Sequence, residues 1–246
     1  MIPHHVVTGD GPPLVLSNSL GTTLHLWDDQ VEALAEAFTV IRYDTRGHGG
    51  TATPPGPYTL DDLGQDVIDL LDHLQIARAH IAGISLGGMT AMWLGIHAPE
   101  RVDKLALLCT SARMGPPELW QDRIRTVREQ GTQAIVDATL ERWLTPGFDD
   151  EHARNWLREE FIGIDDEGYA NCCHAIETMD LIPHLDGISA PTLVIAGAHD
   201  PATPPGEHAE KIVEGVPGAR LEVLDGAHLI NVERSDDVVR LLREFL

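Results

Sequence analysis

The junction Gly83-Ile-Ser85-Leu-Gly87 limits most strongly how this chain can fold. An apolar run, His80-Ile-Ala-Gly83, passes through Ser85 into a stretch that reads as a helix from Leu86 to about His97, with no linker between them. A strand that becomes a helix within one residue must turn sharply there. Glycines on both sides let neighbouring backbones approach where side chains would clash. A serine on such a turn presents its Oγ beyond the end of the strand. A serine that only capped the following helix would need no glycine on either side. A strand feeding a helix is also half of a βαβ unit, so the junction already argues for a parallel sheet.

The rest of the chain keeps that rhythm. Leu14–Ser17, Thr39–Tyr43, Lys104–Cys109, Pro191–Gly197 and Arg220–Leu224 read as further strands. Asp28–Phe38 reads as a helix with Val31, Leu34, Ala35 and Phe38 on one face. Leu60–Leu74 follows Thr59 as N-cap, and helices near Glu207–Val213 and Ser235–Phe245 close the pattern. From Arg113 to Pro183 the strands stop, leaving helical stretches marked by Trp120, Trp143, Trp156 and Tyr169. The expected organisation is an α/β core over 1–112 and 184–246, a mostly parallel sheet flanked by helices, with a helical cap inserted at 113–183.

Composition narrows the function. The 246 residues suffice for one sizeable core, and the formal charge of −22 disfavours phosphate backbones and anionic lipid as partners. No apolar run reaches the ~20 residues that span a bilayer, and Met1–Val7 lacks the basic-then-apolar order of a secretory signal. Three cysteines, two of them adjacent at Cys172-Cys173, suit a reducing compartment better than a disulfide framework, so a cytoplasmic chain is expected. The thirteen histidines are scattered without metal-ligand spacing; His4-His5 is expected at a mobile end, and Cys172-Cys173-His174 as core packing. No metal or organic cofactor is expected.

A serine needs a base to become a nucleophile, and the base needs an orienting acid. Beyond the later strands lie Gly197-Ala-His-Asp200 and Asp225-Gly-Ala-His228, both at strand C-terminal ends, where ligand sites of open α/β sheets collect. Ser85, Asp200 and His228 follow the chain order Ser…Asp…His. His199 and Asp225 are the rivals: His199 points away if Asp200 faces the site, and Asp225 is too close in sequence to His228. An oxyanion needs two backbone N–H groups, expected from Leu86 and from Leu20 in the loop after the first core strand. His48, flanked by glycines, reads as a structural loop residue.

With these residues placed, the chain resembles the α/β-hydrolase family and, more narrowly, the bacterial 3-oxoadipate enol-lactonases. The resemblance rests on Asn18-Ser-Leu-Gly-Thr22, Arg42-Tyr-Asp-Thr-Arg-Gly-His-Gly49, Pro54-Pro-Gly-Pro-Tyr58, Gly83-Ile-Ser-Leu-Gly-Gly-Met89, Glu141-Arg-Trp-Leu144, Cys172-Cys173 ahead of Met179-Asp180, and Ala196–Pro205. It implies hydrolysis of a small anionic lactone without cofactor, and an antiparallel edge reduced by the short N-terminus. A generic esterase or haloperoxidase-like hydrolase, or a non-catalytic small-molecule receptor, could use the same scaffold. A carboxylate-bearing substrate needs a local cation in so acidic a chain. Arg142 beside Trp143 is the expected substrate contact, with Arg113 in reserve.

Overall fold

The computed structural model describes residues 1–246. Its strands are β1 (His5–Thr8), β2 (Pro13–Ser17), β3 (Thr39–Tyr43), β4 (Ala79–Ile84), β5 (Val102–Leu108), β6 (Thr192–Gly197) and β7 (Arg220–Leu224). They form one sheet in the order β1-β3-β2-β4-β5-β6-β7. Every pairing is parallel except that of β1, which runs antiparallel to β3 with His5 opposite Tyr43. This is the α/β-hydrolase fold, with its antiparallel edge reduced to a single strand.

The ten α-helices are α1 (Asp28–Ala35), α2 (Leu60–His73), α3 (Leu86–His97), α4 (Pro117–Gln130), α5 (Val136–Trp143), α6 (Glu151–Ile162), α7 (Asp166–Thr178), α8 (Ala209–Gly215), α9 (Ile230–Glu233) and α10 (Ser235–Phe245). Strands β2, β4 and β6 are almost wholly buried, as parallel strands covered on both faces must be. Every residue of α3 from Leu86 to Gly95 is buried too, which is why that helix shows no amphipathic period in the sequence.

Strand order places the site. β2 sits between β3 and β4, so the chain leaves β2 to one side and returns on the other. At that switch point the C-terminal ends of β2 and β4 lie together, with Ser17 opposite Gly83. The loop carrying Leu20 and the turn carrying Ser85 therefore emerge side by side. Residues 109–191, between the adjacent strands β5 and β6, contain no strand and hold α4 to α7. Val127, Leu140, Leu157 and Phe161 from those helices join the same apolar cluster as the sheet residues, so the excursion is packed on the core. No helix is long and apolar enough to cross a membrane.

Two local expectations differ from the structure. His4 and His5 are not at a mobile end: β1 is paired, Asp44 N–H donates to the His4 carbonyl at 2.9 Å, and His4 Nδ1 lies 2.8 Å from Asp44 Oδ2. The period-2 signal of a four-residue edge strand is too short to read. Helix α1 ends at Ala35 rather than Phe38, because the chain must turn before β3 starts at Thr39; Phe38 still reaches the core from that turn. Cys172 and Cys173 are buried free thiols.

Helix α2 begins with a reciprocal cap: Thr59 Oγ1 accepts from Asp62 N–H, and Asp62 Oδ2 accepts from Thr59 N–H. Thr59→Ala is expected to cost about 1 kcal/mol in urea unfolding, whereas Thr59→Ser keeps the cap and should lose only a few tenths. Equal losses in the two variants would show that the hydroxyl is not what holds this terminus.

Candidate active site

Ser85 is held at φ 56 and ψ −116, a backbone region that a residue with a side chain occupies only at a cost. The surroundings leave it no alternative. Its N–H donates to Leu108 O at 2.9 Å, and its carbonyl accepts from Thr110 Oγ1 at 2.6 Å and from Met89 N–H at 3.0 Å. A Cβ on Gly83 would stand 2.2 Å from Gly87 O, and one on Gly87 would stand 2.2 Å from Ser17 O. Both glycines are thus required by close backbone approach, the reason the motif has them.

The loops after β6 and β7 bring the other two residues together. Ala198 and His199 N–H donate across to Leu224 O and Gly226 O, so the two loops travel as a pair. His228 Nδ1 lies 2.8 Å from Asp200 Oδ2. Asp200 also accepts from Thr203 Oγ1 at 2.6 Å and from the N–H groups of Ala202 and Thr203. Burial alone would push the Asp200 carboxyl up. The facing His228 and the Thr203 hydrogen bonds outweigh it and hold the pKa below the ordinary value. An ionised Asp200 accepts only, so His228 Nδ1 is the donor between them, which in the neutral tautomer leaves the lone pair on Nε2. The rivals pair with each other elsewhere: His199 Nε2 meets Asp225 Oδ1 at 2.9 Å, both well exposed. Ser85 and His228 line one cavity, with no direct hydrogen bond between them.

Leu86 opens α3, so its N–H has no acceptor within the helix. In the loop after β2, the Ser19 carbonyl accepts from Thr22 N–H and Gly21 N–H donates to His48 Nε2 at 3.1 Å, leaving Leu20 N–H unused. His48 Nδ1 completes the contact by donating to Arg46 O, and Asn18 Nδ2 donates to Tyr43 O. His48 is therefore the prop of the Leu20 loop. Burial lowers its pKa to about 4, so it stays neutral and keeps its acceptor lone pair on Gly21.

The cavity measures about 720 Å3. Helices α4, α5 and α7 supply much of its wall, including Trp120, Arg123, Arg142, Trp143 and Tyr169. Arg142 is exposed and pairs with no carboxylate; Asp137, a possible partner, is taken by Arg158 at 2.5 Å. Trp143 is buried edge-on to Phe161. Arg113 is not part of this wall and reaches Asp180 at 3.4 Å instead. Arg123 is a cavity residue that sequence reasoning missed. Glu233, outside the cavity lining, was missed as well: one carboxylate oxygen accepts from Ala227 N–H beside His228, and the other accepts from Thr145 N–H and Oγ1. With Leu229 N–H donating to Trp143 O at 2.9 Å, it fastens the His228 loop to the end of α5. A separate groove of about 440 Å3 between α4 and α7 is rimmed by Arg125 and Arg128, which are already paired with Asp122 and Glu167.

Residues 12–171 match the family described as alpha/beta hydrolase fold. The chain is 46% identical over 227 residues to 3-oxoadipate enol-lactonase 2 of Acinetobacter baylyi, covering 92% of this chain and 85% of that one. It is 36% identical over 240 residues to 3-oxoadipate enol-lactonase 1 of the same organism, covering 96% and 89%. Among solved structures, the enol-lactonase from Burkholderia xenovorans LB400 superposes with a TM-score of 0.96 at 42% identity, over 98% of this chain and 95% of that one.

The buried neutral His48 makes stability depend on pH. Between the unfolded value of about 6.5 and the folded value of about 4, the unfolded state binds the extra proton, so this contribution is complete above that window and is lost as pH falls through it. Urea unfolding from pH 7 to pH 4 should show about 3 kcal/mol less pH dependence in His48→Gln, whose amide oxygen can still accept from Gly21. Parallel profiles for the two proteins would contradict a neutral His48.

Proposed function

The chain belongs to the α/β-hydrolase family, and from that premise we propose that it is a carboxylic-ester hydrolase that opens 3-oxoadipate enol-lactone to 3-oxoadipate. One observation carries the reading beyond the relatives' names. A single cavity joins Ser85 and His228 to Arg142, a guanidinium with no carboxylate of its own. An ester-cleaving pair and a receptor for a substrate carboxylate thus share one space, as an anionic lactone requires.

The chemistry follows from the atoms present. His228 Nε2 takes the Ser85 proton as Oγ bonds to the ring carbonyl carbon, and Asp200 stabilises the imidazolium. The carbonyl oxygen becomes an oxyanion that accepts from Leu20 and Leu86 N–H. As the tetrahedral centre collapses, the ring C–O bond breaks and the leaving oxygen departs as an enolate, which His228 protonates. That oxygen stays tethered to the acyl group, and the enol relaxes to a ketone. Water then attacks the acyl-serine with His228 again as base, giving the carboxylate and restoring Ser85. Enolate stability makes expulsion less demanding of acid assistance than loss of an alkoxide.

Residues 113–183 act in this reading as a cap on the core, walling the acyl intermediate with apolar side chains and limiting water. Arg142 meets the substrate carboxylate, and Trp143 provides a flat wall beside the ring. The reaction belongs to cytoplasmic catabolism of aromatic compounds through the β-ketoadipate route.

The test is an absorbance assay on enol-lactone generated in situ, with p-nitrophenyl acetate as the neutral comparison. The lactone should be the better substrate by kcat/KM. Arg142→Ala should lower the lactone-to-ester ratio of kcat/KM by roughly 10-fold or more, chiefly through KM, because only the lactone loses a charged hydrogen bond of about 1.5–3 kcal/mol. Turnover of the simple ester alone would replace the lactonase reading with that of a general esterase.

A further inference from the structure

Arg123, on α4, is a mostly buried guanidinium whose charge no protein group balances. Its Nε donates to the Tyr169 hydroxyl at 2.7 Å and one Nη donates to Thr139 Oγ1 at 2.8 Å, while its carbon lies 5.6 Å from the Tyr169 ring centre. Both acceptors are neutral. Burial pushes the Tyr169 phenol up, against the pull of Arg123 and Arg142, and burial pushes the neighbouring Cys173 thiol up to about 12. Most other arginines in this acidic chain have a carboxylate at hand, among them Arg42 with Asp28, Arg46 with Asp66 and Arg158 with Asp137. Of the acids that share the cavity, Asp122 is bound to Arg125 at 2.6 Å, and Glu207 stands next to His208. A largely desolvated cation without a counter-charge is costly, and with 39 Asp and Glu residues available the chain could readily have supplied one.

The remaining N–H groups of Arg123 belong to a side chain that lines the same cavity as Ser85. Thr139 and Arg142 are three residues apart on α5 and share a face, so the hydroxyl that grips Arg123 lies on the face that presents Arg142. Arg142 is exposed and makes no ion pair, whereas Arg123 is held by Tyr169 and Thr139 before any ligand arrives. We propose that Arg123 is the fixed inner half of a two-arginine carboxylate seat and determines specificity for anionic substrates, with Arg142 as its outer half. The substrate itself supplies the missing counter-charge. The identity of that carboxylate rests on the lactonase reading above; the seat does not.

The experiment compares wild type, Arg123→Met and Arg123→Lys on enol-lactone and on p-nitrophenyl acetate, with pentanoate and its amide as inhibitors of the ester reaction. Arg123→Met should lower the lactone-to-ester ratio of kcat/KM by about tenfold or more, mainly through KM for the lactone. It should weaken pentanoate inhibition by a similar factor without a matching change for the amide. Arg123→Lys keeps a charge but loses the planar fork, and should fall between Met and wild type on both readouts. If Arg123→Met does not fold, Arg123→Lys carries the test with a smaller change of the same sign. An unchanged ratio together with unchanged pentanoate inhibition in a folded variant would overturn the proposal. Wild type that ignores the lactone yet is inhibited by pentanoate through Arg123 would leave the seat standing and remove only the lactonase reading.

Discussion

The strained backbone of Ser85 is the constraint around which the molecule is built. At φ 56 the residue stores unfavourable torsional energy, of order 1–3 kcal/mol. It persists because the β4–α3 junction is clamped from three sides: by Leu108 O, by Thr110 Oγ1 and by the backbone of β2 lying against Gly87. Those clamps exist only if β2, β4 and β5 are neighbours in that order. The sheet topology and the strained serine are therefore one requirement. What the strain supplies is placement, since Oγ and the Leu86 N–H leave the strand end side by side.

Around that point, rigid polar contacts hold parts that lie far apart in sequence. His48 fixes the Leu20 loop through Gly21, Thr203 and His228 hold Asp200 ionised, and Glu233 binds the His228 loop to the end of α5. The last of these links the histidine to the helix that carries Arg142 and Trp143. In the proposed function, substrate recognition and proton transfer would thus rest on one hydrogen-bonded frame rather than on two independent loops. A net charge of −22 repels an anionic substrate at long range. In the proposed function, discrimination therefore falls to the two arginines that line the cavity, Arg123 and Arg142.

Much of this was legible in the sequence, for physical reasons that differ by residue. Ser85 was readable because its conformation demands small neighbours within two positions, a local pattern. Asp200 and His228 were readable as a pair because strand ends of a parallel sheet gather at one edge. Arg142 was nameable as a cation in the helical stretch, though only the structure shows that Arg158 takes the carboxylate of Asp137. Arg123 was not legible: what marks it is the absence of a partner in three dimensions, and no spacing encodes that. His48 was readable as a structural loop residue from its flanking glycines, but its partner Gly21 was not, and Glu233 was hidden altogether, because each acts on a backbone N–H whose need for an acceptor depends on the folded loop. The β1 strand was implied only by the resemblance, as a reduced antiparallel edge, because four residues on a sheet edge carry too little periodicity to be read directly.

In the proposed function Ser85 attacks the lactone carbonyl, and direct attack by a His228-activated water is the competing route. Acid quench of a reaction with excess enol-lactone, followed by peptide mass analysis, separates them. Opening a ring expels no separate fragment, so an acyl-enzyme must be heavier by one whole substrate mass, on the peptide that contains Ser85. Attack by Ser85 predicts that adduct in wild type, its absence in Ser85→Ala, and loss of most activity in that variant, on the order of 10³-fold or more. Substantial lactone turnover by Ser85→Ala, with no adduct on the wild-type peptide, would contradict it.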